Sequence, residues 1–270
     1  MRSNIDKRSL IIKILNVIIV LLLIAIVVII FKKGKPLNTN GKVVKDLYSY
    51  VGNNNLEKCG GLVFYSDEEI NYDKLSNETK LCLAYTKVYD EDKEELKVDK
   101  AKKGNTCSLK DSLVFATDNY EDKICTLSKT NKNLVNENYK KMFGKSIENY
   151  DKFQLDNTTI CYYDEDNYYC GLSEKYTYTI GAEPHTYRTI KSAYKKGDEI
   201  VIYDYFLRTI NNDCFTSYMK DEKNETCGKA LENKKEVDYK FLKKYGTRYV
   251  HIFKKSGDSY YWVSSKNLDK

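Results

Sequence analysis

EIVIYDYFLRTI, residues 199–210, alternates along its length. At a period of two it places Ile200, Ile202, Asp204 and Phe206 on one face and Val201, Tyr203, Tyr205 and Leu207 on the other. Such a run reads as a long strand, and period-two segments flank it. Thr158–Tyr163 and Tyr168–Leu172 bracket Asp164-Glu165-Asp166-Asn167, the pattern of a hairpin with a four-residue loop. Lys175–Ile180 alternates Tyr176, Tyr178 and Ile180 against Thr177 and Thr179. Arg248–Phe253 and Tyr260–Ser264 form a last hairpin around Lys254–Ser259. Hairpin connections exclude a wholly parallel sheet.

Upstream of residue 150 the period is helical. Lys42–Tyr50 spaces Val43, Val44, Leu47 and Tyr50 for one short helix. Ser76 is an N-cap for a second, whose apolar face is Leu75, Leu81, Cys82, Tyr85 and Val88. Asn133–Asn149 reads as a third. Asp90–Asn105 reads as a charged, exposed connection. Helices first and antiparallel sheet second make an α+β fold, with a mainly helical part over 42–149 and a sheet part over 150–270.

Ile14–Phe31, ILNVIIVLLLIAIVVIIF, carries no charge, and Asn16 is its one polar residue. As a helix it spans roughly 27 Å, near the ~30 Å hydrocarbon core of a bilayer. Phe31-Lys32-Lys33-Gly34-Lys35-Pro36 offers no small-residue cleavage pattern, so the run is expected to stay as a signal anchor rather than a cleaved leader. The expected layout is a cytoplasmic tail over 1–13, a transmembrane helix over 14–31 and a polar linker over 32–41. Lysine and arginine flank the run on both sides, so charge does not orient it. The cysteines do: all eight lie beyond it. An even, widely spaced set reads as disulfides in an oxidising compartment. The expected location is the cell membrane, single-pass, with the C-terminal domain extracytoplasmic.

Eight cysteines allow 105 pairings, so spacing alone does not fix the connectivity. One pair follows from register. In the Asp164–Asn167 hairpin Tyr163 faces Tyr168, Tyr162 faces Tyr169 and Cys161 faces Cys170, at a separation of ~4.5–5.5 Å that a disulfide bridges. Cys214–Cys227 would close the polar insertion Phe215–Thr226. Cys59–Cys82 and Cys107–Cys125 complete the set by proximity.

The chain carries 45 basic and 39 acidic residues, a formal +6. Arg2, Lys7, Arg8, Lys13 and Lys32 against Asp6 account for most of that excess, leaving the remainder near neutral. That balance points away from nucleic acid. Acidic residues gather over Asp67–Asp99 and basic ones over Lys229–Lys255, both read as solvated surface. No CxxC, GxSxG elbow, phosphate loop or HExxH occurs, so no metal and no cofactor are expected. His185 reads as a loop residue in a turn, and His251, alternating with Tyr249 and Phe253, as a half-buried structural one. Asn77, Asn157 and Asn224 match the glycosylation acceptor pattern, which chance supplies in an Asn-rich chain.

Two stretches, YRTIKSAYKKGDEIVIYDYF (187–206) and TRYVHIFKKSGDSYYWVSSK (247–266), resemble segments of uncharacterised single-pass, membrane-anchored exported proteins of low-GC bacteria. The likeness covers the last third and implies location and architecture, not activity. The order of helices before a curved sheet is similar to cone-shaped NTF2-like folds. The expected function is a membrane-anchored extracytoplasmic domain with a non-enzymatic binding role at the cell envelope. Its partners would be the lipid bilayer and an envelope protein or wall polymer. The alternative is a small-ligand or sensing domain with Tyr176, Tyr178, Tyr203, Tyr205 and Trp262 as wall residues. A wall hydrolase using an acidic pair is the third reading.

Overall fold

A computed structural model describes residues 12, 14–22, 34–52, 58–59, 63–101, 104–110, 112–117, 121, 123–175, 184–215, 223–232 and 236–270. Three helices form its central layer: α1 (Lys42–Val51), α2 (Asn77–Tyr85) and α3 (Lys132–Phe143). Each starts and stops for a local reason. Ser76 caps α2 by accepting from the Thr79 N–H at 3.0 Å, and Asn131 caps α3 by accepting from the Asn133 N–H at 2.9 Å. Gly144 ends α3 in the left-handed region, which is why that helix stops short of the expected Asn149. The inward faces are Val44, Leu47 and Val51 of α1, Leu81 to Tyr85 of α2, and Val135, Tyr139, Met142 and Phe143 of α3.

Two antiparallel sheets enclose these helices. In the larger, β11 (Glu199–Ile210) pairs with β10 (His185–Lys196) and with β13 (Thr247–Ser256), and β14 (Ser259–Asn267) pairs with β13. Short strands β1 (Lys35–Leu37) and β2 (Ile70–Asn71) form the edges, and β12 (Asp213–Phe215) extends β11. The smaller sheet runs β3 (Glu94–Asp99), β6 (Ile124–Asn131), β9 (Asn167–Leu172), β8 (Thr159–Asp164) and β7 (Phe153–Gln154). A separate hairpin of β4 (Thr106–Lys110) and β5 (Leu113–Ala116) covers its outer face.

β11 has the two faces its alternation requires. Ile200, Ile202 and Phe206 enter the main core with the three helices, while Tyr205 and Leu207 pack beneath α4 (Glu225–Glu232) and α5 (Tyr239–Tyr245). The main core also takes Phe153, Cys161, Tyr168 and Cys170 from the smaller sheet, so the helices are shared between sheets. A third cluster of Cys107, Leu113, Phe115, Cys125 and Leu127 lies under the β4–β5 hairpin. The α+β class stands.

Several expectations need correction. Among the described residues no helix is long and apolar enough to cross a membrane. Residues 14–22 are helical and exposed, a length of ~14 Å that covers about half a hydrocarbon core, and residues 23–31 lie outside the described set. The transmembrane helix over 14–31 is therefore withdrawn from the fold. The single-pass location at the cell membrane goes with it. The 42–149 part contributes β2 to β6 beside its three helices. The stretch read as a charged connection is partly β3, whose half-buried Leu96 and Val98 pack on the third cluster while its acids face water. The linker contains β1, with Pro36 opposite Tyr194. His185 opens β10 rather than sitting in a turn. The strand expected over Lys175–Ile180, with Tyr176 and Tyr178, lies outside the described residues from 176 on.

Gly171 on β9 tests the packing between the smaller sheet and its hairpin. A Cβ there would meet Leu127 Cδ2 at 2.5 Å and Phe115 Cδ1 at 2.8 Å. Gly171→Ala is expected to cost about 1–3 kcal/mol by overpacking. Urea denaturation with an unchanged m-value checks it, and a loss within error of zero would contradict the packing described.

Candidate functional site

The face of β11 that enters the main core carries two charged residues, Asp204, which is fully buried, and Arg208 toward the strand's end. Register brings its neighbours. His251 on β13 lies opposite Ile202 on β11 and opposite Ser265 on β14, and Arg188 on β10 lies opposite Phe206. The flanking strands β10 and β13, and β14 beyond β13, thus deliver Arg188, His251 and Ser265 to the face that holds Asp204. The helical layer supplies two phenols from above. Tyr48 of α1 donates to Asp204 Oδ2 at 2.6 Å, and Tyr65, on the short turn Val63–Tyr65, donates to the same oxygen at 2.7 Å. Tyr65 is stacked on Phe206 with centroids 4.3 Å apart, and the Tyr249 hydroxyl donates to its backbone carbonyl at 3.0 Å.

On the other carboxylate oxygen, Asp204 Oδ1 lies 3.3 Å from His251 Nε2. His251 Nδ1 is 2.7 Å from Ser265 Oγ, which also accepts from the Trp262 indole N–H at 2.9 Å. The Ser265 hydroxyl, accepting from the indole, has both a second lone pair and its own proton to offer His251 Nδ1, so this contact is satisfied by either imidazole tautomer. Arg188 Nη2 donates to the Gly52 carbonyl at 3.1 Å, and its guanidinium is 5.9 Å from the ring centroids of both Tyr48 and Tyr65.

The electrostatics follow from burial. Burial pushes the Tyr48 and Tyr65 hydroxyls well above the usual phenol range, and the Asp204 charge pushes both the same way. They therefore stay neutral and serve as donors. Burial opposes the charge on Arg188, but its contact with the Tyr65 hydroxyl oxygen and the charge of Asp204 outweigh that and hold it more firmly protonated than usual.

Aspartate, histidine and serine in contact are the elements of a nucleophilic relay, and such a relay needs an open serine and donors for an oxyanion. Here Asp204 and His251 are 0% exposed and Ser265 is 1% exposed. Tyr65 and Trp262 close them over. The arrangement as it stands holds a buried carboxylate in place.

The sequence-based candidates are dispersed. Tyr176 and Tyr178 lie outside the described residues. Tyr203 is half-buried and meets Tyr194 edge-on. Tyr205 is buried in the cluster under α4 and α5, whereas Trp262 is buried in the main core on the opposite face of the sheet. These three described residues do not share a pocket. Four open clefts of about 320–520 Å³ take none of them, and none of the four is lined by Asp204 or His251. All eight cysteines are in disulfides: Cys59–Cys82, Cys107–Cys125, Cys161–Cys170 and Cys214–Cys227. Cys161 stands directly opposite Cys170 in the β8–β9 ladder. Among the described residues no cluster of histidine, cysteine and carboxylate could hold a metal. His185 is exposed. The acidic stretch is paired in part from elsewhere, Glu94 with Lys129 and Asp67 with Lys270.

The buried polar centre was missed because its members are far apart in sequence. The local signal for it is an aspartate between Ile202 and Phe206 on the core-facing side of the strand. No protein-family model, curated protein or solved structure matches this chain. The likenesses read over 187–206 and 247–266, and to cone-shaped folds, therefore carry no further argument.

Alkaline titration tests the site. Below pH 10 folded and unfolded chains both hold neutral phenols, so the full stability is present. As pH rises above 10 the unfolded chain ionises Tyr48 and Tyr65 while the folded chain does not, and stability falls by about 1.4 kcal/mol per pH unit for each. Tyr249 behaves likewise, because burial, Asp67 and Asp204 all raise it. Phenolate absorbance is expected to leave a fraction of tyrosines un-ionised until the protein unfolds, and Tyr65→Phe is expected to shrink that fraction. Complete ionisation near pH 10 in the folded state would contradict the site.

Proposed function

We propose that this chain is a non-enzymatic binding domain of an oxidising compartment, which presents a disulfide-stapled surface to a macromolecular component of the cell envelope. The observation that carries this reading is a contrast. The one contact chain of aspartate, histidine and serine among the described residues is sealed in the core, while the open clefts are lined by charged and polar side chains. One cleft of about 520 Å³ runs beside Lys93, Glu94, Glu95 and Ser128, and another of about 440 Å³ lies between Lys223, Glu225, Asp269 and Lys270. Exposed, water-facing clefts suit polar partners held by many weak contacts better than a small apolar ligand. Complete pairing of the thiols supports the compartment, since reducing compartments keep cysteines free.

Co-sedimentation tests it. Full-length protein with intact disulfides is expected to bind isolated cell envelopes saturably, to lose that binding after reduction and alkylation, and to release no soluble fragments. Turnover of envelope material into soluble products, or binding indifferent to reduction, would overturn the reading.

A further inference from the structure

We propose that the cleft between the C-terminus of α3 and the β13–β14 turn binds the phosphate group of a phosphomonoester or phosphodiester. The proposal rests on the binding reading above and gives it a ligand chemistry. α3 ends in Lys140-Lys141, Gly144 turns the chain with φ 69° and donates its N–H to the Lys140 carbonyl at 2.8 Å, and Lys145-Ser146 follows. Ser256 and Ser259 come from the facing turn. Together they line an open cleft of about 320 Å³, walled by Tyr261. The wall is close: a Cβ on residue 144 would meet the Tyr261 ring at 2.8 Å. Three lysines, three serines and a tyrosine thus line one cleft that no acidic residue lines.

These charges have no carboxylate partner. None of Lys140, Lys141 and Lys145 has an ion-pair partner among the described residues. Lys145 Nζ instead lies 4.1 Å from the centroid of the Tyr72 ring, which also draws Lys80 Nζ to 3.8 Å. More lysine continues along the same end of the sheet. Lys254 and Lys255 lead into the β13–β14 turn, and Lys195 stands opposite Lys35 beside the β10–β11 turn, against the acids Asp198 and Asp258 at the two tips. Lysines that outnumber the nearby acids raise the local positive potential, and a bound anion relieves it.

The donor set selects the anion. A helix C-terminus carries about half a negative charge, so the backbone gives an anion nothing here and side chains must hold it. Two lysines in the last turn offset that charge, and Lys145 adds to it. Lysine acts as a point charge toward a tetrahedral oxyanion, with the Ser146 and Ser256 hydroxyls donating to the remaining oxygens, while the Ser259 hydroxyl donates to the Ser256 carbonyl at 3.2 Å. A planar carboxylate is matched better by the arginine fork, and no arginine lines this cleft.

The test titrates the full-length, oxidised protein with inorganic phosphate against chloride at equal ionic strength, and reads the backbone resonances of Gly144, Ser146 and Ser259. Saturable shifts are expected in phosphate alone. The triple variant Lys140→Gln, Lys141→Gln, Lys145→Gln, with unchanged melting temperature, is expected to weaken them by roughly tenfold or more. A flat titration, or equal affinity in the variant, overturns the cleft, and envelope co-sedimentation that persists then leaves the binding reading standing. Two further arms identify the source of the phosphate. Glycerol phosphate reads out a soluble or polymeric ester. Phosphatidylcholine vesicles with and without phosphatidylglycerol read out a lipid headgroup, as the preference that the triple variant loses.

Discussion

A carboxylate removed from water is the constraint on which this structure turns. Desolvating one ion costs several kcal/mol, and only close partners return it. Asp204 takes two phenol protons on one oxygen, faces an imidazole on the other and lies in the field of Arg188. Those partners come from α1, the Val63–Tyr65 turn, β13 and β10. The carboxylate therefore marks where the helical layer meets the larger sheet, and a helix that slid along the sheet would leave it unpaired. Breaking such a set by removing one partner costs on the order of 3–5 kcal/mol, whereas replacing the whole set by apolar residues need not. The group thus specifies one packing more than it adds stability.

Away from that centre, covalent bonds do the comparable work. The clusters under α4–α5 and under the β4–β5 hairpin are small, and small apolar cores do not hold a fold alone. Each contains its own disulfide, Cys214–Cys227 in one and Cys107–Cys125 in the other. The main core contains the other two, Cys59–Cys82 and Cys161–Cys170. A bridge closing a loop of this size contributes roughly 3 kcal/mol by restricting the unfolded chain. Layers fastened in this way stay in fixed register.

The parts legible in the sequence are those whose pattern is local. β11 showed both faces correctly through its alternation, and α2 announced its start through Ser76. The β8–β9 register followed from counting, because a short turn leaves one way to pair. β3 and β6 were hidden, since EELKVD and ICTLSKTN place acids, lysine and threonine on a solvated face and bury only alternate residues. The apolar run at 14–31 suggested a span from composition, and the described helix covers 14–22. Asp204 and Tyr48 are 156 residues apart, and pairings of that range have no one-dimensional signature. The lysine cleft is likewise assembled from a helix end and a distant turn, so counting charges along the chain placed its members in different regions.

The central claim is that Asp204 energetically couples the helical layer to the sheet. A double-mutant cycle of Tyr65→Phe and Asp204→Asn, read by urea denaturation at neutral pH, measures that coupling directly. The account predicts an interaction energy of about 1 kcal/mol or more, with both single variants destabilised. Costs that add to within about 0.5 kcal/mol would mean that the phenol and the carboxylate do not act on each other, and would contradict it.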